Sequence, residues 1–471
     1  MSPLHENRYF DADPIVRRYA RALYDATRLL PIVSPHGHVD PAILASDEAF
    51  TDPASLMITP DHYILRVLYS QGVPLEWLGV APIDGKPPNA ESNPRRIWQI
   101  FVDHWQVFRG TPTRAWLEYV LHEIFGVQHE LDPASAPVVY DAIAEQLQSP
   151  EFRPRALFKR FNIEVLATTD AASDTLEHHK VLRPVELGGR VIPTFRPDAL
   201  FRIASPGWSA ELARFERVSG GTIGSHAELM RAVARRRTDF KAIGATATDH
   251  AMVVPHTERL EEAEAERLFA KAGERAANAG DQARYEAHLL MEMARMSVDD
   301  GLVMQLHTGA LRDHNELLHR RFGPDRGGDI PVATEFTRNL RPLLNAYGND
   351  ARFRLIVFTL DESTYSRELA PLAGHYPAML LGAPWWFHDS IDGMTRFRQQ
   401  TTETAGIENT AGFTDDTRAF CSIPARHDLA RRVDANYLGG LVARHVIDMT
   451  DASEMARAMA YDLAKRAYRL N

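Results

Sequence analysis

The sequence predicts an α/β fold: a (β/α)8 TIM-like barrel with a large helical insertion after strand 1 and additional C-terminal helices. Three observations carry that expectation. Eight short apolar runs recur along the 471 residues, most of them ending in polar groups. Stretches of helical period lie between them. No repeat of 20–50 residues and no low-complexity tract divides the chain, which argues against a solenoid or propeller. An open doubly wound sheet shares this alternation, and periodicity alone does not separate the two.

The first run, Ile32–His36, follows an N-terminal helix expected within residues 1–36. The others are Ile163–Thr169, Val191–Arg196, Phe240–Thr248, Leu302–Thr308, Arg354–Leu360, Ala378–Ala383 and Asn409–Asp416. Largely apolar runs of this length fit strands buried on both faces. The last is the weakest, with few apolar residues. Asp174–Lys180, Ala210–Arg217, Thr334–Ala346 and Met394–Thr404 read as intervening helices. About 126 residues, Gly37 to Asn162, separate the first two strands. They hold helical patterns at His62–Ser70, Arg95–Phe108 and Arg114–Phe125, so residues 37–162 read as an inserted helical subdomain rather than a bare loop. Residues 163–425 complete the barrel. They include a second insertion, Thr257–Ser297, a charged helical pair broken at Asn278-Ala279-Gly280-Asp281. Residues 426–471 read as helices packed outside the barrel.

Composition narrows the function classes. Forty-five per cent apolar and 25 per cent charged residues exclude a disordered chain, a collagen and a disulfide-stapled mini-domain. A net charge of −10 argues against nucleic acid as a partner. The one basic cluster, Arg231, Arg235, Arg236 and Arg237, reads as a solvated helix C-terminus. No run reaches the ~18 apolar residues of a membrane span, and the best, Tyr376–Phe387, is broken by two prolines. The N-terminus shows no basic and apolar leader, so no signal peptide is expected. A lone Cys421 forms no internal disulfide, which fits a cytoplasmic location.

The polar strand ends carry the chemistry, because barrels of this kind act at the C-terminal ends of their strands. Strand 1 ends Ser34-Pro35-His36-Gly37-His38-Val39-Asp40-Pro41. Residues i and i+2 of an extended segment face the same side, so His36 and His38 can offer two imidazoles to one metal. The spacing is weak evidence, since 20 His in 471 positions produce about one such pair by chance; the placement after an apolar strand, between two prolines, carries the inference against two surface histidines. Gly37 leaves room for a close approach. Strand 5 ends in His307 and Arg312, strand 8 in Asp415, Asp416 and Arg418, strand 3 in Arg196, and strand 4 in Asp249 and His250. Thr168-Thr169-Asp170 is ambiguous, because it could N-cap the next helix. Gly207-Trp208-Ser209-Ala210-Glu211 fails the nucleophile-elbow pattern at its last position. No phosphate-binding glycine loop follows a strand, and Cys421 has no second Cys beside it.

The strand-1 His-x-His with an Asp on the last strand resembles the amidohydrolase superfamily of metal-dependent barrels. Asp61-His62-Tyr63-x-x-Arg66, Thr168-Thr169-Asp170, Arg196-Pro197-Asp198, Gln305-Leu306-His307-x-Gly309-Ala310-Leu311-Arg312, Trp385-Trp386-Phe387, Asp416-Thr417-Arg418 and Arg426-His427 resemble, in order, the uronate (glucuronate) isomerase family. The resemblance implies a reversible aldose–ketose isomerisation of D-glucuronate to D-fructuronate and D-galacturonate to D-tagaturonate, with one divalent metal ion, Zn2+ ahead of Mn2+. It implies His36, His38 and Asp416 as metal ligands; Asp416, His62, Tyr63 and Arg418 as catalytic groups; and Arg196, His307, Arg312, Trp385 and Arg418 as substrate-binding groups. The implied partner is a small-molecule hexuronate, with no nucleic acid and no membrane; a homo-oligomer is compatible with it. The chain departs from the family pattern at Ser34-Pro35-His36-Gly37-His38, where Asp-x-His-Cys-His is common, at Asp415, where Thr is usual, and at Ala171-Ala172, where Asp-Pro is found. Two other readings stand beside it: a mononuclear metal-dependent hydrolase or deaminase on the same fold, and a binding or scaffold protein without catalysis.

Overall fold

The computed structural model describes residues 4–470. Seven parallel strands form one curled sheet: β1 (Ile32–Ser34), β2 (Ile163–Ala171), β3 (Arg190–Arg196), β4 (Ala247–Met252), β5 (Val303–Thr308), β6 (Leu355–Thr359) and β7 (Met379–Leu381). They lie side by side in chain order. Helices carry the chain between most of them, as parallel pairing requires. β1, β5, β6 and β7 bury every residue, as strands covered on both faces do.

Two strand expectations need correction. Phe240–Ile243 is not strand but the end of the His226–Ile243 helix, where the Phe240 ring meets Phe195 edge-on at 5.0 Å. A short, mostly apolar stretch such as Phe240-Lys241-Ala242-Ile243 looks the same at a helix end as at a strand start. Asn409–Asp416 forms no regular strand. Thr410 makes a single parallel bridge to Leu381, and further on Thr417 O accepts from the His38 N–H at 2.9 Å. Between these points Gly412 has φ +75, and a Cβ there would lie 2.8 Å from Ala464 N. The left-handed turn and that close approach end the ladder. The expected helix Thr334–Ala346 shortens to Arg341–Tyr347. A two-stranded antiparallel ribbon, Ala310–Leu311 with Ile330–Pro331, was not legible from pattern.

Between β1 and β2 the chain is helical. His62–Ser70 has the bounds that its period predicts, while Arg95–Phe108 and Arg114–Phe125 each become an α-helix continued by a short turn of different pitch. Four helices between Thr27 and Val120, starting at Pro41, Pro53, Pro94 and Pro112, open the same way as the N-terminal Pro14–Thr27: an Asp, Asn or Thr caps the first N–H groups and Pro takes the first helical position. The charged pair near residues 257–297 is Glu262–Gly273 and Ala279–Asp300, the second opened by an Asn278/Asp281 capping box. Ile423–Ala443 runs against Pro14–Thr27 and buries residues on all sides. Among the described residues no helix is long and apolar enough to cross a membrane.

Only half of the arginine cluster is solvated: Arg231 and Arg235 are exposed, Arg236 and Arg237 are not. All four belong to the His226–Ile243 helix, and Arg237 is buried to 1% exposure. Arg237 clasps Asp300 at 2.6 and 2.9 Å and Ser297 at 2.9 Å; Arg236 holds Asp239 and the carbonyls of Ala172 and Asp174. A buried charge needs partners, and apart from Asp239, on the same helix, these come from distant elements.

Thr168-Thr169-Asp170 lies inside β2 and caps no helix, since the next helix begins at Glu177. Thr168 Oγ1 donates to Asp170 Oδ2 at 2.7 Å and sits 2.8 Å from His179 Nε2. Burial pushes the Asp170 carboxyl up to about 7, from an ordinary 3.8. The folded chain therefore keeps a proton that the unfolded chain loses between pH 4 and 7, so this group's stabilisation is complete below pH 4 and falls as pH rises through that window. Asp170→Asn is expected to remove a slope of ~1.4 kcal/mol per pH unit from the unfolding free energy. Denaturant titrations at pH 4.5, 5.5 and 6.5 check this. The difference between variant and wild type isolates Asp170 from Glu286, which burial also pushes up to about 7; parallel curves would refute the assignment.

Candidate functional site

The C-terminal ends of the strands bring the predicted groups to one rim. His36 and His38 follow β1 and present their Nε2 atoms to Asp416 Oδ1 at 3.4 and 3.2 Å. The three residues offer ligand atoms all within 4.8 Å of one another, a set that could hold a metal ion. Asp416 Oδ1 is buried and makes no directed hydrogen bond despite the two imidazoles beside it. Donor atoms that converge without bonding one another fit a shared cation. Its other oxygen, Oδ2, accepts from the Trp385 indole N–H. Burial alone would raise the Asp416 carboxyl, but the two imidazoles outweigh it and hold the group well below the carboxylate range. Asp416 also sits at φ 41 and Trp386 at φ 53, backbone conformations that non-glycine residues rarely adopt and that cluster at functional sites.

At Gly37 it is the chain itself that makes the close approach. A Cβ there would meet Thr417 O at 3.4 Å, and Asp415 Oδ1 and Ala167 O at 3.6 Å, so β2 and the segment before Arg418 lie against it.

His307 lies one layer deeper than a lining residue. Its ring stacks between His36, at 4.5 Å, and Phe358, at 4.2 Å, and its Nδ1 is 2.6 Å from Asp249 Oδ1. Its Nε2 is buried without a hydrogen-bond partner, as is His36 Nδ1. His36, Asp249 and His307 make a second set of atoms within 4.8 Å, sharing His36 with the first. Burial drives His38 and His307 toward the neutral imidazole; at His36 it also pushes down, but Asp249 and Asp416 reverse the sign. His250, beside Asp249 in the sequence, points the other way and stacks on Phe201 in the core. Adjacent strand residues face opposite sides.

Asp61 places His62 and Tyr63 by capping their helix, accepting from the Tyr63 and Ile64 N–H groups at 2.8 and 3.4 Å. The His62 ring lies 5.4 Å from Trp386 and 4.6 Å from Tyr63. Burial, helped by the Arg418 charge, lowers its pKa to about 3, so it is neutral at physiological pH. Burial likewise raises the Tyr63 phenol beyond its ordinary range and keeps it protonated. Arg426, fully buried, lies over the Tyr63 ring at 5.3 Å and the Trp116 ring at 3.7 Å. It donates to Asp389 at 2.7 Å and to Asp415 O at 3.1 Å.

Three arginines ring the mouth, each with a carboxylate. Arg196 bonds Asp198 at 2.8 Å and approaches Asp249 at 3.5 Å. Arg312 bonds Asp329 at 2.8 Å and covers the Trp386 ring at 5.0 Å. Arg418 is held most loosely, 3.4 Å from Asp325. A cavity of about 40 Å³ lies among His38, His62, Tyr63, Trp385 and Asp416; a larger one of about 370 Å³ lies among Arg196, Asp198 and Asp325. Both include His38, Arg312 and Arg418, so they form one cleft. Sequence reasoning missed the carboxylates Asp329 and Asp325, which pair with Arg312 and Arg418, and Asp389, which pairs with Arg426. The Gly-Pro-Asp-Arg-Gly-Gly composition of 323–328 is a turn signal, but it carries nothing about the partner of Asp325.

The family profile for glucuronate isomerase matches residues 7–468. A uronate isomerase of Nostoc punctiforme is 54% identical over 469 residues, 99% of this chain and 98% of that one. The crystal structure of glucuronate isomerase from Caulobacter crescentus superposes with a TM-score of 0.97 at 47% identity, covering 99% and 97% of the two chains. That of uronate isomerase from Thermotoga maritima gives 0.92 at 26% identity, covering 99% of each. The chain belongs to the glucuronate isomerase family. It is therefore an isomerase of the aldose–ketose class, and the departures at Gly37, Asp415 and Ala171-Ala172 are variations within the glucuronate isomerase family.

Proposed function

We propose that the protein interconverts D-glucuronate with D-fructuronate and D-galacturonate with D-tagaturonate through an enediol. The observation that carries this reading is the meeting of His36, His38 and Asp416 with a protonated Tyr63 in one cleft ringed by arginines. His36, His38 and Asp416 would hold one divalent metal, with Zn2+ ahead of Mn2+ because two imidazoles and a carboxylate suit it. The bound cation would supply Lewis acidity to stabilise the negative charge that develops on sugar oxygen.

The chain's own residues do the rest. Moving a carbonyl from C1 to C2 takes the C2 proton off and returns one to C1, while protons exchange at the two oxygens. Asp416, ionised by its surroundings and steadied by the Trp385 indole, is the carboxylate placed to accept at carbon. Tyr63 brings a phenol proton, and neutral His62 beside it brings a second exchangeable group, at the oxygens. Arg312 and Arg418 point into both parts of the cleft, and Arg196 is braced by Asp198 and Asp249. A guanidinium's paired donors match a uronate carboxylate, and His307 supports the His36 ring from beneath. Ketose formation from D-glucuronate or D-galacturonate in metal-replete buffer, followed by NMR, tests the whole reading; no turnover of either sugar acid refutes it.

Arg418 is the arginine we assign to the substrate carboxylate, because its own partner Asp325 is farthest away. Arg418→Met is expected to cost about 2–5 kcal/mol in kcat/KM for glucuronate. Selectivity over neutral glucose measures the same contact. A variant as selective as wild type removes Arg418 from that role.

Three further readings accompany this one. The Leu381–Thr410 bridge and the His38–Thr417 bond support closure of the seven strands into a (β/α)8 barrel through residues 409–417. The helices within 37–162 support an inserted subdomain that carries His62 and Tyr63 over the mouth. The buried, unpaired Cys421 is compatible with a reducing, cytoplasmic location.

A further inference from the structure

A cavity of about 580 Å³ lies at the opposite end of the sheet, against Ile32 at the start of β1 and Phe161 and Asn162 just before β2. It shares no lining residue with the cleft at the strand C-termini. Its walls come from the N-terminal segment, the Pro14–Thr27 helix, the inserted helices and Ile423–Ala443. Six arginines face it, Arg8, Arg21, Arg28, Arg160, Arg431 and Arg432, against four carboxylates.

The carboxylates do not neutralise all of them. Asp428 takes both Arg8, at 2.7 Å, and Arg432, at 2.9 Å. Glu6 takes Arg21 at 2.9 Å, and Asp25 approaches Arg28 at 3.5 Å. Arg160 and Arg431 have no carboxylate within 4 Å among the described residues. Arg160 donates only to the Glu123 and Ile124 carbonyls. Arg431 donates to the Arg28 and Pro31 carbonyls, each at 3.0 Å, and its Nε is buried with no partner. Only 7% of Arg431 is exposed. Asp428 acts on Arg431 only from a distance and is already bonded to Arg8 and Arg432; a guanidinium that deep with no carboxylate in contact is costly, and the cost falls if an anion enters the cavity beside it. The volume lies within the range of small-molecule sites.

We propose that this cavity is a second, non-catalytic binding site for a small oxyanion, a carboxylate or a phosphate, held by Arg28, Arg160 and Arg431. Carbonyl contacts fix two of these guanidiniums and leave their remaining N–H groups for the ligand, while Tyr24, already held by Asp428 and Arg432, closes one wall. Because it shares no lining residue with the cleft, its occupancy can be measured apart from the isomerisation chemistry.

Calorimetric titration of the metal-loaded protein with inorganic phosphate and, separately, with succinate tests the proposal and distinguishes the two sources. One equivalent of at least one anion is expected to bind. Arg28→Ala/Arg160→Met, which changes two exposed residues outside the catalytic cleft, is expected to weaken that binding by at least about ten-fold with isomerase activity unchanged. Arg431→Met should do the same, and if it does not fold the exposed pair still decides. Arg418→Met, which alters only the cleft, should bind the anion as wild type does. Failure of both anions to bind below roughly 10 mM, or equal binding by wild type and Arg28→Ala/Arg160→Met, overturns the site.

Discussion

The His36→Ala/His38→Ala variant is expected to lose its divalent metal and at least about 10³ in kcat, the several kcal/mol that a cation contributes to a developing oxyanion. Both nitrogens lie within 3.4 Å of Asp416 Oδ1, and removing them leaves one carboxylate, too few ligands for a tight site. Metal analysis should show about one equivalent per chain in wild type and far less in the variant. Asp416→Asn should weaken binding as well if its carboxylate is a ligand. The overlapping His36, Asp249 and His307 set makes stoichiometry the informative readout. Two tightly held ions per chain would replace the mononuclear reading with a binuclear one, and full metal content in the double variant would move the site elsewhere.

Tyr63→Phe is expected to lower kcat about 10²–10⁴-fold, the usual contribution of a positioned acid or base, with little change in stability. The ring keeps its place: it packs edge-on to Trp116 at 5.6 Å and beneath Arg426, and only the hydroxyl is lost. Near-normal turnover would reduce Tyr63 to a packing residue. Glucuronate deuterated at C2 adds a test of the route. An enediol allows part of the label to reach solvent, whereas a hydride shift retains all of it, and complete retention would take Asp416 and Tyr63 off the proton path.

Much of the site was legible because its groups sit at the ends of apolar strands. An extended chain turns i and i+2 to one side, so His36 and His38 could be paired on spacing and placement. Helix starts were legible for an equally local reason: an Asp, Asn or Thr before the first turn satisfies N–H groups in the same few residues. What failed were features whose cause lies far along the chain. Arg236 and Arg237 read as solvated, yet they are buried because Asp300, Ala172 and Asp174 come to meet them. The partners of His307, Asp249 and the Phe358 ring, likewise come from other strands and leave no local trace.

The sequence by itself determined the α/β class, the parallel alternation, the histidine pair, the helix that carries His62 and Tyr63, and the family. Periodicity and capping are short-range, and a motif set kept in order over most of a chain is specific. Only the tertiary structure decided that Phe240–Ile243 ends a helix, that residues 409–416 touch the sheet through a single bridge, and which aspartate holds each arginine. Whether a charge is buried, and what it does there, depends on groups brought up from other elements, and local pattern carries no information about them.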